Sequence, residues 1–258
     1  MKTITTIPEM RAFSAGARRA GKRIGFVPTM GYLHEGHLSL VREAKSACDV
    51  TVVSIFVNPT QFGPNEDFAR YPRDRERDEG LCRAEGVDVV FAPEANEMYA
   101  ADRSVWVDET SLSEGLCGAA RPAHFRGVAT VVAKLFNIVR PDVAVFGMKD
   151  AQQLRIIQQM VRDLDFPVEI VAAPTVREPD GLAMSSRNRY LSDAERAAAL
   201  GIHRSLQVAK RRYADGERSG RTLEKVVSDV LAGAEELDVE YVEVVDFAGL
   251  QPVEAMDG

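Results

Sequence analysis

Short apolar runs alternate with amphipathic stretches along most of this chain. Residues 23–27, Arg-Ile-Gly-Phe-Val, form a compact buried run, and Leu38, Leu40, Val41, Ala44 and Cys48 then recur at helical spacing. Residues 49–57 are β-branched and nearly continuous in hydrophobicity, the pattern of a parallel strand covered on both faces. Residues 87–93, 142–146 and 168–172 are further runs of the same kind. Between them, Val128, Val131, Val132, Leu135, Phe136 and Val139 repeat at three-four spacing, which predicts a helix with one buried stripe, stopped at Arg140-Pro141. Leu154, Ile157, Met160, Val161 and Leu164 predict another. Weaker patterns predict an edge strand at 104–108 and a half-buried strand at 239–246. Strands that alternate with helices predict an α/β protein with a doubly wound parallel sheet, its helices on both faces. The composition shifts near Pro174. Beyond it, residues 192–236 read as two helices split at Ala214-Asp215-Gly216, part of a smaller C-terminal α+β domain. The expected division is therefore 1–175 and 176–258.

Composition narrows the function classes. The chain has 258 residues, 45% hydrophobic and 28% charged, as in a soluble globular protein. A net charge of −7 argues against a general nucleic-acid binder, which needs a basic face. Three cysteines, Cys48, Cys82 and Cys117, are far apart and lack any CxxC pairing, so neither a disulfide framework nor a zinc knuckle is indicated. That usage fits a reducing cytoplasm. The N-terminus lacks the apolar run of a signal peptide, and no stretch suits a membrane span.

The candidate chemistry is concentrated in residues 27–37, Val-Pro-Thr-Met-Gly-Tyr-Leu-His-Glu-Gly-His. A strand runs into a Gly-containing turn and the turn opens a helix, which aims backbone N–H groups and a positive dipole end at an anion. Gly31-x4-Gly36 is not a P-loop, because His37-Leu38 stands where Lys-Ser/Thr is required. His34 and His37 are three apart, so a His-Glu-x-x-His zinc site is excluded too. The plain alternative is that the histidines cap the helix. Two of the chain's four histidines on one such turn favour a phosphate site, where imidazoles donate to phosphoryl oxygens.

Other candidates sit at later strand ends. Asn58-Pro59-Thr60-Gln61 follows the second strand, as a ligand edge or an ordinary turn in equal measure. Residues 65–77 read as a solvated charged loop leading into a surface helix. Residues 115–126 are a loop, either a lid or an inert connection. Gly147-Met148-Lys149-Asp150 ends another strand. Lys149 reads as a phosphate partner, and Asp150 as a ribose ligand, a helix cap, or both. Of Gln152 and Gln153, one is expected to face the crevice and the other solvent. Met184-Ser185-Ser186-Arg187 could hold phosphate oxygens, although by itself it reads as a Ser-rich turn before a helix capped by Ser192.

Six blocks in this order carry a resemblance. They are Pro28–Gly31 with Leu33–His37, Ser54–Pro59 with Gln61-Phe62, Arg70-Tyr71-Pro72-Arg73, His124–Val128, Lys149-Asp150 with Gln152-Gln153, and Met184–Asn188. Together they resemble the pantothenate synthetase (pantoate–β-alanine ligase) family, related to the His-x-Gly-His class of nucleotidyltransferases and synthetases. The likeness runs from Ile24 to about Asp246. It implies a Rossmann-like fold and a two-step ligase. ATP and pantoate would give pantoyl adenylate and pyrophosphate with Mg²⁺, and β-alanine would then displace AMP to give pantothenate. It places Met30, Gly31, Tyr32, Leu33, His34, Glu35, Gly36 and His37 on ATP, with His37 as the proton donor toward the phosphates and His34 its companion. Gly147, Met148, Lys149 and Asp150 would face the nucleotide, Val176 the adenine, and Met184, Ser185, Ser186 and Arg187 would form a closing phosphate loop. Gln61 and Gln153 would hold pantoate, with Gln61 also near β-alanine. The metal ligands stay unknown. The resemblance further implies a homodimer formed through the larger domain.

Two departures qualify the expectation. The family has Gly-Glu-Lys-Asp where this chain has Gly147-Met148-Lys149-Asp150, so a carboxylate is missing beside the lysine. Family members also continue past Gly258, which would leave the predicted 239–246 strand short of partners. The competing readings are a nucleotidyltransferase on the same fold, which has no use for Gln61 and Gln153, and a nucleotide-binding module with a spoiled site.

Overall fold

A computed structural model describes residues 1–256. Six parallel strands form one sheet: β1 (Lys2–Ile4), β2 (Ile24–Thr29), β3 (Val50–Ile55), β4 (Val89–Phe91), β5 (Val143–Gly147) and β6 (Glu169–Ala173). Their spatial order is β1-β4-β3-β2-β5-β6. The helices among them are α1 (Ile7–Arg19), α2 (Glu35–Ala47), α3 (Arg75–Ala84), the short α4 (Ala95–Met98) and α5 (Cys117–Ala120), then α6 (His124–Val139) and α7 (Ala151–Asp163). Two long helices follow, α8 (Asp193–Ala214) and α9 (Gly220–Leu231).

The pleat divides the apolar residues into two layers. Phe26, Val52, Phe91, Ala144 and Phe146 point to one face and pack with Met10 of α1, the buried stripe of α6 and Leu154 and Ile157 of α7. Val27, Val53, Val90, Val143 and Val145 point to the other face and meet Val41 and Ala44 of α2 and Cys82 of α3. Because both faces are covered, the strands lack polar alternation, and this explains the continuous runs seen in the sequence.

The doubly wound parallel sheet is as predicted, and five of its six strands fall where the runs placed them. The edge strand β1 was not anticipated; it is three residues long, too short for periodicity to register. The expected strand at 104–108 is absent. That segment is extended but pairs with no neighbour strand, and Val107 instead exchanges bonds with the Thr130 hydroxyl of α6. The expected strand at 239–246 is likewise absent, because only Val245 finds a bridge partner, Pro252. Residues 115–126 are not one loop: α5 lies within them and α6 already begins at His124. Ser192 caps α8 through a capping box with Glu195, as expected.

Candidate active site

In the sheet order, β3 lies on one side of β2 and β5 on the other. Chain direction around the sheet reverses there, and in open α/β sheets the crevice beyond such strand ends receives ligands. A solvent-open cleft of about 240 Å³ occupies this place, lined from Pro28 and Thr29 of β2 and Met30 after it, Phe56 and Asn58 after β3, and Phe146 and Gly147 of β5.

The turn after β2 is the most constrained part of its wall. Gly31 and Tyr32 both have positive φ, 82° and 49°. Such a backbone persists only if its surroundings hold it. The hold comes from Asp78 on α3, 1% exposed, whose carboxylate accepts from the Tyr32 and Leu33 N–H groups at 2.7 Å each. Arg77 donates to the Leu33 carbonyl at 2.9 Å. Burial raises the Asp78 pKa even though these donors and Arg77 oppose the shift. Nothing in the sequence marked Asp78, because it stands among charged residues whose pattern reads as a solvated face.

The two histidines close the same turn. His34 Nδ1 accepts from the Gly36 N–H at 3.1 Å, and His37 Nδ1 accepts from the His34 N–H at 3.3 Å. They therefore do cap α2, in a reciprocal capping box. Capping and anion binding coexist, since an imidazole that accepts at Nδ1 carries its proton on Nε2. Both rings line the cleft, with centroids 4.1 Å apart. Burial, then Lys149 and Arg77, lower His34 to a pKa of about 4, against a smaller opposing effect of Glu178. Burial, then His34 and Lys149, lower His37 to about 3. Both values put the rings in the neutral form at pH 7, with the proton on Nε2.

On the β3 side, Asn58 is buried and orients Gln61. Its Oδ1 accepts from Tyr99 Oη at 2.8 Å and Thr60 Oγ1 at 3.0 Å, which leaves its amide N–H₂ for Gln61 Oε1 at 3.0 Å and the Gly127 carbonyl at 3.2 Å. Gln61 Nε2 is thereby turned toward Met30 Sδ, 3.2 Å away, and the cleft. Gly127 makes this packing possible: a Cβ there would sit 2.3 Å from the Thr60 carbonyl oxygen. Arg121 and His124 also line the cleft, which separates this segment from an inert connection. His124 Nδ1 donates to the Gln61 carbonyl at 2.8 Å, so its Nε2 accepts from Arg121 at 3.1 Å. Burial lowers the His124 pKa.

On the β5 side, Lys149 and Asp150 line the cleft and pair with each other at 3.1 Å. Gln153 lines it too. Gln152 does not face solvent as expected; it is 8% exposed and donates to the Leu112 and Gly115 carbonyls, both at 2.8 Å. Across the cleft mouth lie Val176, Met184, Ser185, Ser186 and Arg187. Here Arg187 is engaged by the Asp67 carboxylate through two bonds of 2.8 Å and lies 5.1 Å from the Tyr71 ring centre.

The structure thus gathers most of the predicted residues around one cavity. Four lie off it as side chains. Leu33 is fully buried in the core between β2 and α2. Glu35 points outward to Arg42, which lowers its pKa by hydrogen bonding. Tyr32 stacks with Arg77 and Arg189, and Met148 is 46% exposed. Gly31 contributes backbone shape alone. Among the described residues no cluster of three or more His, Cys, Asp or Glu could hold a metal.

A switch-point crevice with a helix N-terminus, paired neutral imidazoles and a lysine defines a nucleotide-binding α/β protein. Comparison with known proteins narrows the class. Residues 2–257 match the sequence profile of the family described as Pantoate-beta-alanine ligase. The pantothenate synthetase of Thermotoga petrophila is 58% identical over 257 residues, covering 100% of this chain and 92% of that protein. Pantothenate synthetase 1 of Bradyrhizobium diazoefficiens is also 58% identical, over 95% of this chain and 86% of that one. Among solved structures, the pantothenate synthetase of Thermus thermophilus superposes with a TM-score of 0.94 at 45% identity, covering 100% and 91% of the two chains. A Francisella tularensis pantoate-beta-alanine ligase, solved with beta-gamma ATP and beta-alanine, gives 0.78 at 35% identity over 89% and 86%. The chain belongs to the pantoate–β-alanine ligase family. Enzymes of this family make pantothenate in an ATP-dependent reaction through a pantoyl adenylate.

Proposed function

We propose that the cleft between β2 and β5 joins pantoate to β-alanine as follows. The pantoate carboxylate attacks the α-phosphorus of ATP; the new O–P bond forms as the bond to the β-phosphate oxygen breaks, and pyrophosphate leaves. The β-alanine amine then attacks the acyl carbon, AMP departs, and the amine's proton passes to solvent. The first step brings two anions together, so the site has to neutralise charge without adding bulk at phosphorus. The Nε2–H groups of His34 and His37, the α2 N-terminus and Lys149 do this. Gln61 and Gln153 hold pantoate by neutral hydrogen bonds, and Arg121, now paired with Glu66 beside Gln61, exchanges that partner for the β-alanine carboxylate.

The reading extends to the loop and the nucleotide. Gly147 and Asp150 face the nucleotide, with Asp150 at the ribose, Val176 faces the adenine, and Met184–Arg187 close over the phosphates. Arg187 then exchanges Asp67 for a phosphoryl oxygen. Mg²⁺ bound with the triphosphate would be held by phosphate oxygens plus one or two carboxylates, as hard divalent cations are. Asp150 is the carboxylate that lines the cleft and fits that part; the ion supplies further charge neutralisation. No side-chain nucleophile flanked by a base lines the cleft, which favours direct transfer over an acyl-enzyme. We further read residues 1–175 and 176–258 as two domains, the protein as a homodimer, and its location as cytoplasmic.

The observation that carries this reading is the histidine pair, each ring accepting at Nδ1, that lines the cleft together with Lys149 at the switch point. The test is pyrophosphate release with ATP and Mg²⁺. Release that needs pantoate, with pantothenate formed only when β-alanine is added, is the expected result. Release independent of pantoate would favour a nucleotidyltransferase, and Gln153→Ala should raise the pantoate requirement while leaving ATP affinity unchanged. Limited proteolysis near residue 175 and sedimentation test the domain and dimer readings.

A further inference from the structure

A second cavity lies on the far side of Tyr99, lined by Arg103, Trp106, Lys134, Thr130, Asn137 and the exposed Asp102 among others. Its walls are aromatic and its charges are mostly positive. The Arg103 guanidinium sits 4.9 Å from the Tyr99 ring centre and 5.3 Å from that of Trp106. Lys134 Nζ lies 5.6 Å from the Tyr99 centre, and Arg126 lies 4.9 Å from the Trp106 centre. Among the described residues, none of these three side chains has an ion pair or hydrogen bond, and the Arg126 Nε is buried without a partner. Lys134 is half-buried on the side of α6 that also carries Thr130 and Asn137.

A half-buried cation is costly unless something compensates it. Ring faces supply part of the compensation, about 0.5–2 kcal/mol per contact. They supply no countercharge. Asp102 is the only carboxylate lining the cavity, and it does not bond to Arg103 or Lys134. An arriving carboxylate would offset one of the three cations, whereas a phosphate group brings two charges and oxygens that match the guanidinium fork.

We propose that this cavity binds a small phosphate-bearing polyanion, seated between Arg103 and Lys134 against Trp106. The cavity is separate from the switch-point cleft, with no lining residue in common, and the two are linked through Tyr99. Tyr99 presents its ring to the second cavity, while its hydroxyl bonds to Asn58, the residue that orients Gln61. Occupancy therefore bears on Gln61. That consequence rests on the reading of Gln61 as a pantoate ligand; the binding itself does not.

Trp106 is the chain's one tryptophan, so its emission reports on this cavity directly. The full protein is titrated in separate arms with inorganic phosphate, pyrophosphate and ATP, against sodium chloride at matched ionic strength. A saturable change with at least one phosphate compound, absent with chloride, is expected. Its midpoint should weaken tenfold or more in Lys134→Gln and in Arg103→Gln and stay in place in Lys149→Ala, which removes a cation from the other cleft. The arm that binds tightest identifies the source of the phosphate. Arg103 is exposed, so its replacement keeps the test valid if Lys134→Gln fails to fold. An identical response to chloride, no saturable response, or a midpoint that moves with Lys149→Ala and not with the cavity variants would overturn the proposal. The coupling is read separately: if the anion binds yet leaves the KM for pantoate unmoved, only the link to Gln61 falls.

Discussion

Two turns face each other across the cleft, one after β2 and one after β5, and they are built in opposite ways. The β2 turn leaves little to chance. The N–H groups of Gly31, Tyr32, Leu33, His34 and Gly36 are all taken, by Thr29, Asp78, His37 and His34. The β5 turn has no side-chain cap at all, its lysine and aspartate pair only with each other, and Met148 stands in solvent. Adjacent parallel strands therefore deliver one preorganised wall and one adjustable wall. Fixed dipoles stabilise developing charge without reorganising. An exposed lysine can follow a polyphosphate as it enters and leaves. The difference suggests that chemistry depends mainly on the first turn and ligand capture on the second.

The largest expected effect probes that division at His37. His37→Ala removes an Nε2–H donor from the rigid wall, and loss of one preorganised donor costs about 10²–10³ in rate. Adenylate formation, followed by pyrophosphate release, should fall by that much while ATP binding by calorimetry changes little. Equal losses in both would make the histidine merely a cap.

Asp78 tests what keeps the wall rigid. Asp78→Ala leaves the Tyr32 and Leu33 N–H groups buried without an acceptor, at about 1–3 kcal/mol each. Denaturation should show a loss of about 3 kcal/mol, with a smaller loss in Asp78→Asn, which keeps one acceptor oxygen. A fully stable Asp78→Ala would mean that the turn holds itself.

Much of the sheet was legible in the chain because strands covered on both faces must be largely apolar, as β2 to β5 are; the edge strand β6 is only partly buried but keeps an apolar run after Glu169. β1 was missed since three residues carry no period, and residues 239–246 misled because alternation was present without a neighbouring strand to use it. The site divided along the same line. His34, His37 and Lys149 stood out by residue type at strand ends. Asn58 reads in equal measure as an ordinary turn, and Asp78 and the Arg121–His124 pair did not stand out, because the partners that matter lie 41 to 69 residues away. Local pattern says nothing about which charge in a charged helix turns inward.

Acid should weaken the fold through the two histidines of the β2 wall. His34 and His37, at about 4 and about 3 in the folded protein, lie below the ordinary histidine value of 6.5. As pH falls through 6.5 the unfolded chain binds protons first, so stability is full above that value and is lost progressively down to about pH 3–4. Between pH 6.5 and 5.5 each histidine contributes about 1 kcal/mol or less to that loss. Denaturation at the two pH values should show the decline, and His37→Gln should flatten it. An unchanged slope would place the loss elsewhere.

The smallest effect is expected at the position where this chain departs from its family. Met148 stands where the family resemblance leads one to expect a glutamate, yet its side chain is exposed and does not line the cleft. A carboxylate introduced there would meet solvent, where an exposed ion pair with Lys149 is worth about 0–1 kcal/mol. Met148→Glu should therefore leave pyrophosphate release within about threefold of the parent, with the sign of the change set by salt: any gain should shrink at high ionic strength, where screening removes exposed pairs. A salt-independent gain of tenfold or more would show that the turn after β5 closes onto the nucleotide and becomes as ordered as its neighbour. In that case the contrast between the walls would describe the ligand-free protein alone.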